Sequence, residues 1–190
     1  YIESIALLTL EGSGMIGIPG YSKKLLSTLA KAKINVIMMT QASSEHSICI
    51  GIENDLATQA KKLIEKDFDY EIETQRINPI SIENNLSIIA LVGEKMKSFQ
   101  GISGKMFSAL GRNNVNVKAI AQGASERNIT AVIDSANTKQ ALNILHEAFF
   151  EEDTKQINLF ITGVGNVGSK LIEQLNSQKE YLQNQMRLNI

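Results

Sequence analysis

The sequence predicts an α+β fold in which two small domains of element order βαββαβ are followed by the first strand and helix of a third domain. Three observations predict it. The segment Ile34–Glu45 reappears as Val115–Glu126, at an offset of 81 residues. Strand-like and helix-like spacings of apolar residues follow in the same order in both copies. Near the end, a glycine pattern typical of nucleotide-binding turns lies between an apolar run and an amphipathic helix.

The duplication extends without a gap beyond the repeated segment. A period of this length is too long for a solenoid repeat and is typical of a small domain. The sequence therefore predicts domains over residues 1–80 and 81–152 and a third segment over 156–190. Identical residues at the shared offset include the pairs Gly12 and Gly93, Met15 and Met96, Gly20 and Gly101, Asn35 and Asn116, Val36 and Val117, and Gln41 and Gln122.

The first repeat shows all six elements of this order. Apolar runs and period-two alternation predict strands, and leucines at three- and four-residue spacing predict helices. The result is a ferredoxin-like sandwich with two helices on one face of an antiparallel sheet. The predicted elements are strand Ile5–Leu10, loop Gly12–Gly20, helix Tyr21–Lys33, strands Val36–Thr40 and Ser47–Ile52, a helix capped by Asp55, and strand Tyr70–Ile77.

The second repeat follows the same order but has no obvious fourth strand before the acidic run Glu151–Asp153. An unpaired sheet edge is usually covered, so we expect this sheet to take a strand from outside these 190 residues. The predicted elements are strand Leu86–Val92, loop Gly93–Gly101, helix Ile102–Arg112, strands Val115–Gln122 and Asn128–Asp134, and helix Lys139–Phe150.

The third segment has a strand, glycines and a helix in the order that a dinucleotide site needs. Gly163, Gly165 and Gly168 form the pattern Gly-x-Gly-x-x-Gly after an apolar run. In such a motif the glycines allow a tight turn and bring the backbone close to a pyrophosphate at a helix N-terminus. The chain ends at Ile190 as a second strand begins, so we expect the opening of a Rossmann domain that continues elsewhere.

Composition narrows the class of protein. A net charge of −1 gives no electrostatic reason to expect nucleic acid or an anionic membrane as partner. No apolar run reaches the roughly 20 residues that span a bilayer. The single cysteine, Cys49, cannot form an internal disulfide, which favours a reducing, cytoplasmic location. Because the chain starts in a strand pattern without Met, we expect it to be part of a longer polypeptide.

The repeated loop, helix and strand suit a small ligand that is both acid and amine. The loop Gly12–Gly20 and the helix after it offer N–H groups for a carboxylate. Carbonyl groups around Asn35 and Val36 can accept hydrogen bonds from an ammonium group. The amide of Gln41 can donate and accept, which suits a side-chain hydroxyl.

The same argument applies to Gly101, Asn116 and Gln122 in the second repeat. Charged residues replace glycines in its loop, so the first pocket is the stronger candidate. A purely structural origin stays open, because an Asn before a strand and a Gln-x-x-Ser-Glu turn both occur without ligands. Neither repeat shows a nucleophile with a base, or a metal-ligand cluster, so we expect no catalysis here.

Four stretches together resemble the bifunctional aspartokinase–homoserine dehydrogenases. The resemblance covers essentially the whole chain and implies two regulatory ACT domains before the first β–α unit of the NAD(P)-binding homoserine dehydrogenase domain. In that family an upstream kinase phosphorylates aspartate with ATP and Mg, and the downstream domain reduces aspartate semialdehyde with NAD(P)H. The stretches are GMIGIPG (Gly14–Gly20), NVIMMTQASSEHSI (Asn35–Ile48), NVKAIAQGASERNIT (Asn116–Thr130) and INLFITGVGNVGSKLIEQL from Ile157.

The resemblance also implies a ligand and partners. L-Threonine is the implied effector, and the implied assembly is a homodimer or higher homo-oligomer with ACT sheets side by side. The kinase signature and the dehydrogenase lysine lie outside these residues, so ATP, Mg and NAD(P) are implied for the longer enzyme only. The family's two threonine-sensing glutamines fall on Gln41 and Gln122. With the residues argued from the repeats, the expected effector contacts are Met15, Ile18, Pro19, Gly20, Asn35, Val36, Gln41, Gly101, Asn116, Val117 and Gln122.

Two other interpretations stay open from the sequence. The glycine motif can mark part of an NAD(P)-dependent oxidoreductase with a passive N-terminal appendage. Alternatively, the two repeats can be a structural dimerisation module whose pockets no longer bind a ligand. Binding of NAD(P) would favour the first interpretation, and failure of either repeat to bind any amino acid would favour the second.

Overall fold

The computed structural model describes residues 1–41, 46–94, 100–122, 127–150, 155–184, 186 and 188–189. It divides into two units, Tyr1–Ala148 and Phe149–Ile190. In the first unit, one antiparallel six-stranded sheet has the order β2-β3-β1-β4-β6-β5. In chain order, the strands and helices up to residue 150 are β1 Ile2–Glu11, α1 Tyr21–Lys31, β2 Met38–Gln41, β3 Ser47–Glu53, α2 Ala57–Asp67, α3 Asp69–Glu73, β4 Ser81–Val92, α4 Ile102–Arg112, β5 Val117–Ala121, β6 Asn128–Asp134 and α5 Thr138–Phe150.

Strand β1 lies near the middle of the sheet and is buried on both faces. Ala6, Leu8 and Leu10 belong to the cluster that also holds buried residues of α1 and α2. Ile5 and Leu7 belong to a second apolar cluster with residues of β2, β4 and β6. Because successive strand residues point to opposite faces, burial of both faces requires the continuous apolar run seen in the sequence.

The predicted fourth strand over Tyr70–Ile77 is wrong. Residues Asp69–Glu73 form the short helix α3. Phe68 and Ile72 are four residues apart, which is a helical spacing, and both contribute to the core on α1 and α2. The strand that follows in the repeat is instead the first part of β4, where Ser81 pairs with Thr9.

The expectation that the second sheet takes a strand from outside these 190 residues is also wrong. The neighbour of β4 on that side is β1, and Ile2 pairs with Ile88. The pairing is symmetric, since Leu7 pairs with Glu83 and Ile5 with Leu86. Each repeat therefore completes its sheet with the first strand of the other, and β4 serves both because it is 12 residues long.

The duplication is also visible in the backbone. Ser4 and Asn85, one offset apart, both have a φ of 57° and lie where the β1–β4 register shifts. Lys33 and Asn114 form a second such pair, with φ of 57° and 58°. Positive φ is uncommon outside glycine, so its recurrence shows that bulges and turns, as well as apolar positions, were duplicated.

The second unit contains the glycine motif. Its helix α6, Asn166–Ser177, begins directly after Gly165 and contains Gly168 in its first turn. The predicted apolar strand from Ile157 is wrong, because β7 is confined to Lys155–Gln156 and residues 157–164 have no regular secondary structure. After α7, Lys179–Asn184, strand β8 at Leu188–Asn189 pairs in parallel with β7. Assignment of this β–α–β arrangement to a Rossmann domain stays a prediction.

Candidate ligand-binding site

A cavity of ≈ 290 Å³ lies in the first repeat, where the loop after β1 meets the N-terminus of α1. This volume suits a ligand of amino-acid size better than a dinucleotide. The wall combines apolar side chains, loop backbone and the polar groups of a serine and a glutamine. The lining residues are Met15, Gly17, Ile18, Pro19, Gly20, Tyr21, Ser22, Gln41 and Ile48.

The N-terminus of α1 gives this cavity a positive character. Gly20 precedes the helix with a φ of 107°, which glycine adopts without steric strain, and no side chain caps the helix. The first helical hydrogen bond runs from Lys24 N to Gly20 O, at 2.9 Å. The N–H groups of the three residues between them have no partner within the helix. With the helix dipole, they form a site suited to a carboxylate.

Gln41, at the end of β2, brings a side-chain amide to the same cavity. Ser22 Oγ donates a hydrogen bond to Gln41 Oε1 at 3.4 Å. In the second repeat, Ser103 Oγ donates to Gln122 Oε1, also at 3.4 Å. Both serines and both glutamines are related by the offset of 81 residues. The duplication therefore retains the serine–glutamine pair and not the glutamine alone.

The loop that lines the cavity is held by the segment before β4. Gly14 N donates to Arg76 O at 2.9 Å, and Tyr21 Oη donates to Gly14 O at 3.3 Å. A Cβ atom on Gly14 would lie 2.5 Å from Arg76 Cβ, and one on Gly12 would lie 2.3 Å from Arg76 O. Only glycine permits this close approach, so the loop geometry depends on the Arg76 segment.

A charged contact ties α1 to α3 beneath this loop. Lys24 Nζ lies 2.6 Å from Glu71 Oε1 and 4.3 Å from the centroid of the Phe68 ring, which also stacks with Tyr21 at 5.9 Å. Burial alone would raise the pKa of Glu71, whose side chain is 18% exposed. The hydrogen bonds from Lys24 and the backbone, with the charges of Lys24 and Arg76, outweigh that effect and lower this pKa below its usual value.

Most of the residues predicted for the first site lie together. Met15, Ile18, Pro19, Gly20 and Gln41 all line the cavity. The sequence analysis missed the rest of the lining, which is Gly17, Tyr21, Ser22 and Ile48. Recurrence of a serine at positions 22 and 103 is a sequence signal that could have identified the pair.

Asn35 and Val36 do not line this cavity. Asn35 is exposed, and Val36 packs against the core. Five residues of chain separate Val36 from Gln41, which corresponds to roughly 16 Å in extended conformation. This separation is larger than threonine itself, which argues against one ligand in the cavity contacting both Gln41 and the carbonyl groups around Asn35 in the same chain.

The second repeat retains the positive-φ glycine and the first helical hydrogen bond at the start of its helix. Gly101, with a φ of 84°, precedes α4, and Lys105 N donates to Gly101 O at 2.8 Å. Asn116 is exposed, and Val117 opens β5 half-buried. Met96 and the rest of 95–99 lie outside the described residues. Gln122 lines a cavity of ≈ 370 Å³ that includes residues of both repeats, among them Ile2, Met38, Ile88 and Thr130.

The three motif glycines of the second unit differ in their surroundings. Gly163 has a φ of 89°, as a tight turn requires. A Cβ atom on Gly165 would meet nothing within 4 Å, whereas one on Gly168 would lie 2.6 Å from Gly163 O. The first glycine turns the chain, the second leaves space beside the helix N-terminus, and the third lets the helix approach the turn. These features fit a dinucleotide motif.

Other chemical groups give no sign of catalysis in the part of the chain that the structure describes. There, no set of three or more His, Cys, Asp or Glu residues could hold a metal ion. Burial raises the pKa of the Cys49 thiol, which makes it a poor nucleophile. No helix within the same residues has the length and apolar character needed to cross a bilayer.

Comparison with known proteins identifies the family of both repeats. An ACT domain family model matches residues 8–68 and 89–149. The chain is 40% identical over 181 residues to the bifunctional aspartokinase/homoserine dehydrogenase of Haemophilus influenzae, covering 95% of this chain and 22% of that protein. The chain thus spans about a fifth of the length of the curated relatives it matches.

Solved structures show the same fold. The aspartate kinase of Clostridium acetobutylicum superposes with a TM-score of 0.67 at 26% identity, over 78% of this chain and 33% of that one. The regulatory subunit of aspartate kinase from Thermus flavus gives a TM-score of 0.65 at 23% identity, over 78% of this chain and 94% of the subunit.

The matches confirm the sequence resemblance to bifunctional aspartokinase–homoserine dehydrogenases. The two ranges matched by the family model run from within β1 to the end of α2 and from within β4 into α5, so both repeats are ACT domains. The chain therefore belongs to the ACT domain family, with two ACT domains in tandem as in the regulatory region of aspartokinase-type proteins.

Proposed function

We propose that this chain is the amino-acid-sensing region of a bifunctional aspartate kinase and homoserine dehydrogenase, and that it binds L-threonine as a feedback inhibitor. The observation that carries the proposal is the cavity at the N-terminus of α1, which Gln41 also lines. It combines groups for a carboxylate with an amide for a side-chain hydroxyl. Relatives of this chain are named bifunctional aspartokinase/homoserine dehydrogenases.

Threonine fits this cavity in one orientation. The carboxylate lies at the first turn of α1, where the N–H groups have no partner within the helix. The hydroxyl meets the amide of Gln41, and the methyl group contacts Met15, Ile18 or Ile48. The ammonium group takes backbone carbonyls of the loop over residues 15–20, because Asn35 and Val36 do not line the cavity.

Inhibition then follows from differential binding. Threonine can shift an equilibrium between two arrangements of the ACT pair only by the difference between its affinities for them. The related C. acetobutylicum aspartate kinase is described as an allosteric enzyme. In this chain, the loop held by Arg76 and the end of β2 are the elements that a bound ligand would bring together.

The remaining assignments belong to the same proposal. Residues 1–80 and 81–152 form the two sensing domains, and 156–190 opens the NAD(P)-binding domain through Gly163, Gly165 and Gly168. ATP and Mg act in a domain outside this region, and NAD(P) acts in the domain of which 156–190 is only the opening part. Strands β2 and β5 are at the two ends of the sheet, which favours assembly of copies side by side in a homo-oligomer.

The test is calorimetric titration of this chain with L-threonine, with L-lysine as the control ligand. We expect saturable threonine binding that Gln41→Ala weakens about tenfold, as loss of a good hydrogen bond predicts. The matched variant Gln122→Ala should leave the tighter site unchanged. Absence of heat and of any thermal shift with threonine would reject the proposal and favour a structural assembly module.

A further inference from the structure

Ser22 has an unusual contact for a serine in the first turn of a helix. Serine near a helix start commonly bonds to backbone groups as a cap. Here no side chain caps α1, and Ser22 Oγ donates to the side-chain oxygen of Gln41 instead. The second repeat shows the same choice, since α4 has no side-chain cap and Ser103 Oγ donates to Gln122 Oε1.

The contact in the structure determines which end of the glutamine amide faces the cavity there. An amide has an acceptor oxygen and a donor NH₂ group on opposite sides. When the oxygen of Gln41 accepts from Ser22, its NH₂ group is the part left to meet a ligand in the cavity that both residues line. A free glutamine could turn either end toward the ligand, whereas the contact with Ser22 places the amide oxygen on the serine side in this structure.

We propose that Ser22 is a specificity-determining positioning residue, which holds the Gln41 amide with its NH₂ group toward the ligand. The site then selects an amino acid whose side chain carries a hydrogen-bond acceptor, such as a hydroxyl, over an apolar isostere. An apolar side chain would leave the NH₂ group desolvated and unpaired, which is costly. This inference rests on the proposed function and defines its ligand chemistry.

The experiment compares two isosteric ligand pairs, L-threonine with L-valine and L-serine with L-2-aminobutyrate. Dissociation constants are measured by calorimetry for the unaltered chain, Ser22→Ala and Ser22→Thr. We expect Ser22→Ala to reduce the preference for the hydroxylated member about 3- to 10-fold, the range for one hydrogen bond. Ser22→Thr keeps a hydroxyl and should retain the preference. An unchanged preference in Ser22→Ala, or equal weakening of both members, would overturn the inference.

The outcomes separate this inference from the proposed function. If the chain binds serine but not threonine, the threonine proposal fails, while the effect of Ser22→Ala on the serine pair still decides the role of Ser22. A second measurement needs no ligand. The side-chain carbonyl carbon and NH₂ resonances of Gln41 should shift on Ser22→Ala, and unchanged resonances would show that the hydroxyl does not hold the amide.

Discussion

The two ACT repeats share a backbone but differ in what supports the ligand loop. In the first repeat, Thr28 Oγ1 donates to Asp67, which joins α1 to α2. At the equivalent positions the second repeat has Ala109 and Ala148. Tyr21, whose hydroxyl reaches the loop at Gly14, is replaced by Ile102. The duplication has thus kept the serine–glutamine pair and the glycine before the helix while replacing the polar groups around them.

This difference predicts which of the two sites binds threonine more tightly. A loop that is already held in its binding geometry loses less conformational freedom when a ligand arrives. The first repeat has such a loop, fixed by Gly14 and the backbone of Arg76. We therefore expect the first site to fill at lower threonine concentration than the second. Three variants would break or sharpen this comparison.

Phe68→Ala should have the largest effect. Phe68 is fully buried and stacks with Tyr21 under Lys24. Its truncation should lower the free energy of unfolding by about 3–5 kcal/mol, as for other buried aromatic residues. The matched change Phe149→Ala, at a half-buried position, should cost less. Urea denaturation of both variants measures the difference, and equal losses would contradict the asymmetry.

Gly14→Ala should disable the first site at a smaller cost in stability. The added Cβ would lie 2.5 Å from Arg76 Cβ, so the loop must move, at about 1–3 kcal/mol. We expect the tighter threonine site to disappear from the titration and the weaker one to remain. The control is Gly104→Ala within α4, where a Cβ meets nothing within 4 Å. That change should be neutral or stabilising. Retention of the tighter site in Gly14→Ala would contradict this account of the loop.

Glu71→Gln should give the smallest effect, visible in the pH dependence of stability. The pKa of Glu71 is lowered in the folded chain, so its contribution is present above the unfolded pKa of about 4.3. It is lost as the pH falls through the lower folded value. Between pH 5 and pH 3, measured by urea denaturation, the variant should lose less stability than the unaltered chain. Parallel pH curves would show that the Lys24 contact is not stabilising.

Much of the fold was predictable because an element predicted in one repeat could be compared with the equivalent positions of the other. The strands near β1, β3, β4 and β6 and the helices near α1, α4 and α5 follow the predicted periods. The fourth strand was misplaced because Tyr70, Ile72 and Ile77 fit short strand and helix patterns equally well. Sharing of β4 was also missed, since local periodicity cannot show that one strand pairs with β1 along its whole length.

The candidate site was predictable where its groups are close in sequence. The loop with Pro19 and Gly20 is contiguous, and Gln41 stands out through its duplicate. Ser22 was missed because its role depends on a contact with Gln41, which is 19 positions away in the sequence. Asn35 and Val36 were assigned to the same site as Gln41 because the sequence predicts one strand that joins them. In the structure both precede β2, Val36 packs against the core, and neither lines the cavity that Gln41 lines.

The pairing of β1 with β4, by which each repeat takes a strand from the other, has an evolutionary consequence. The sheet order reads the same when each strand of one repeat is replaced by its counterpart in the other. A gene encoding a single repeat would produce a chain whose first strand has one unpaired edge, and the first strand of a second identical chain would pair with that edge in this geometry. Fusion of two such genes would then convert a homodimer into one polypeptide without altering its sheet, and each copy could afterwards acquire its own substitutions.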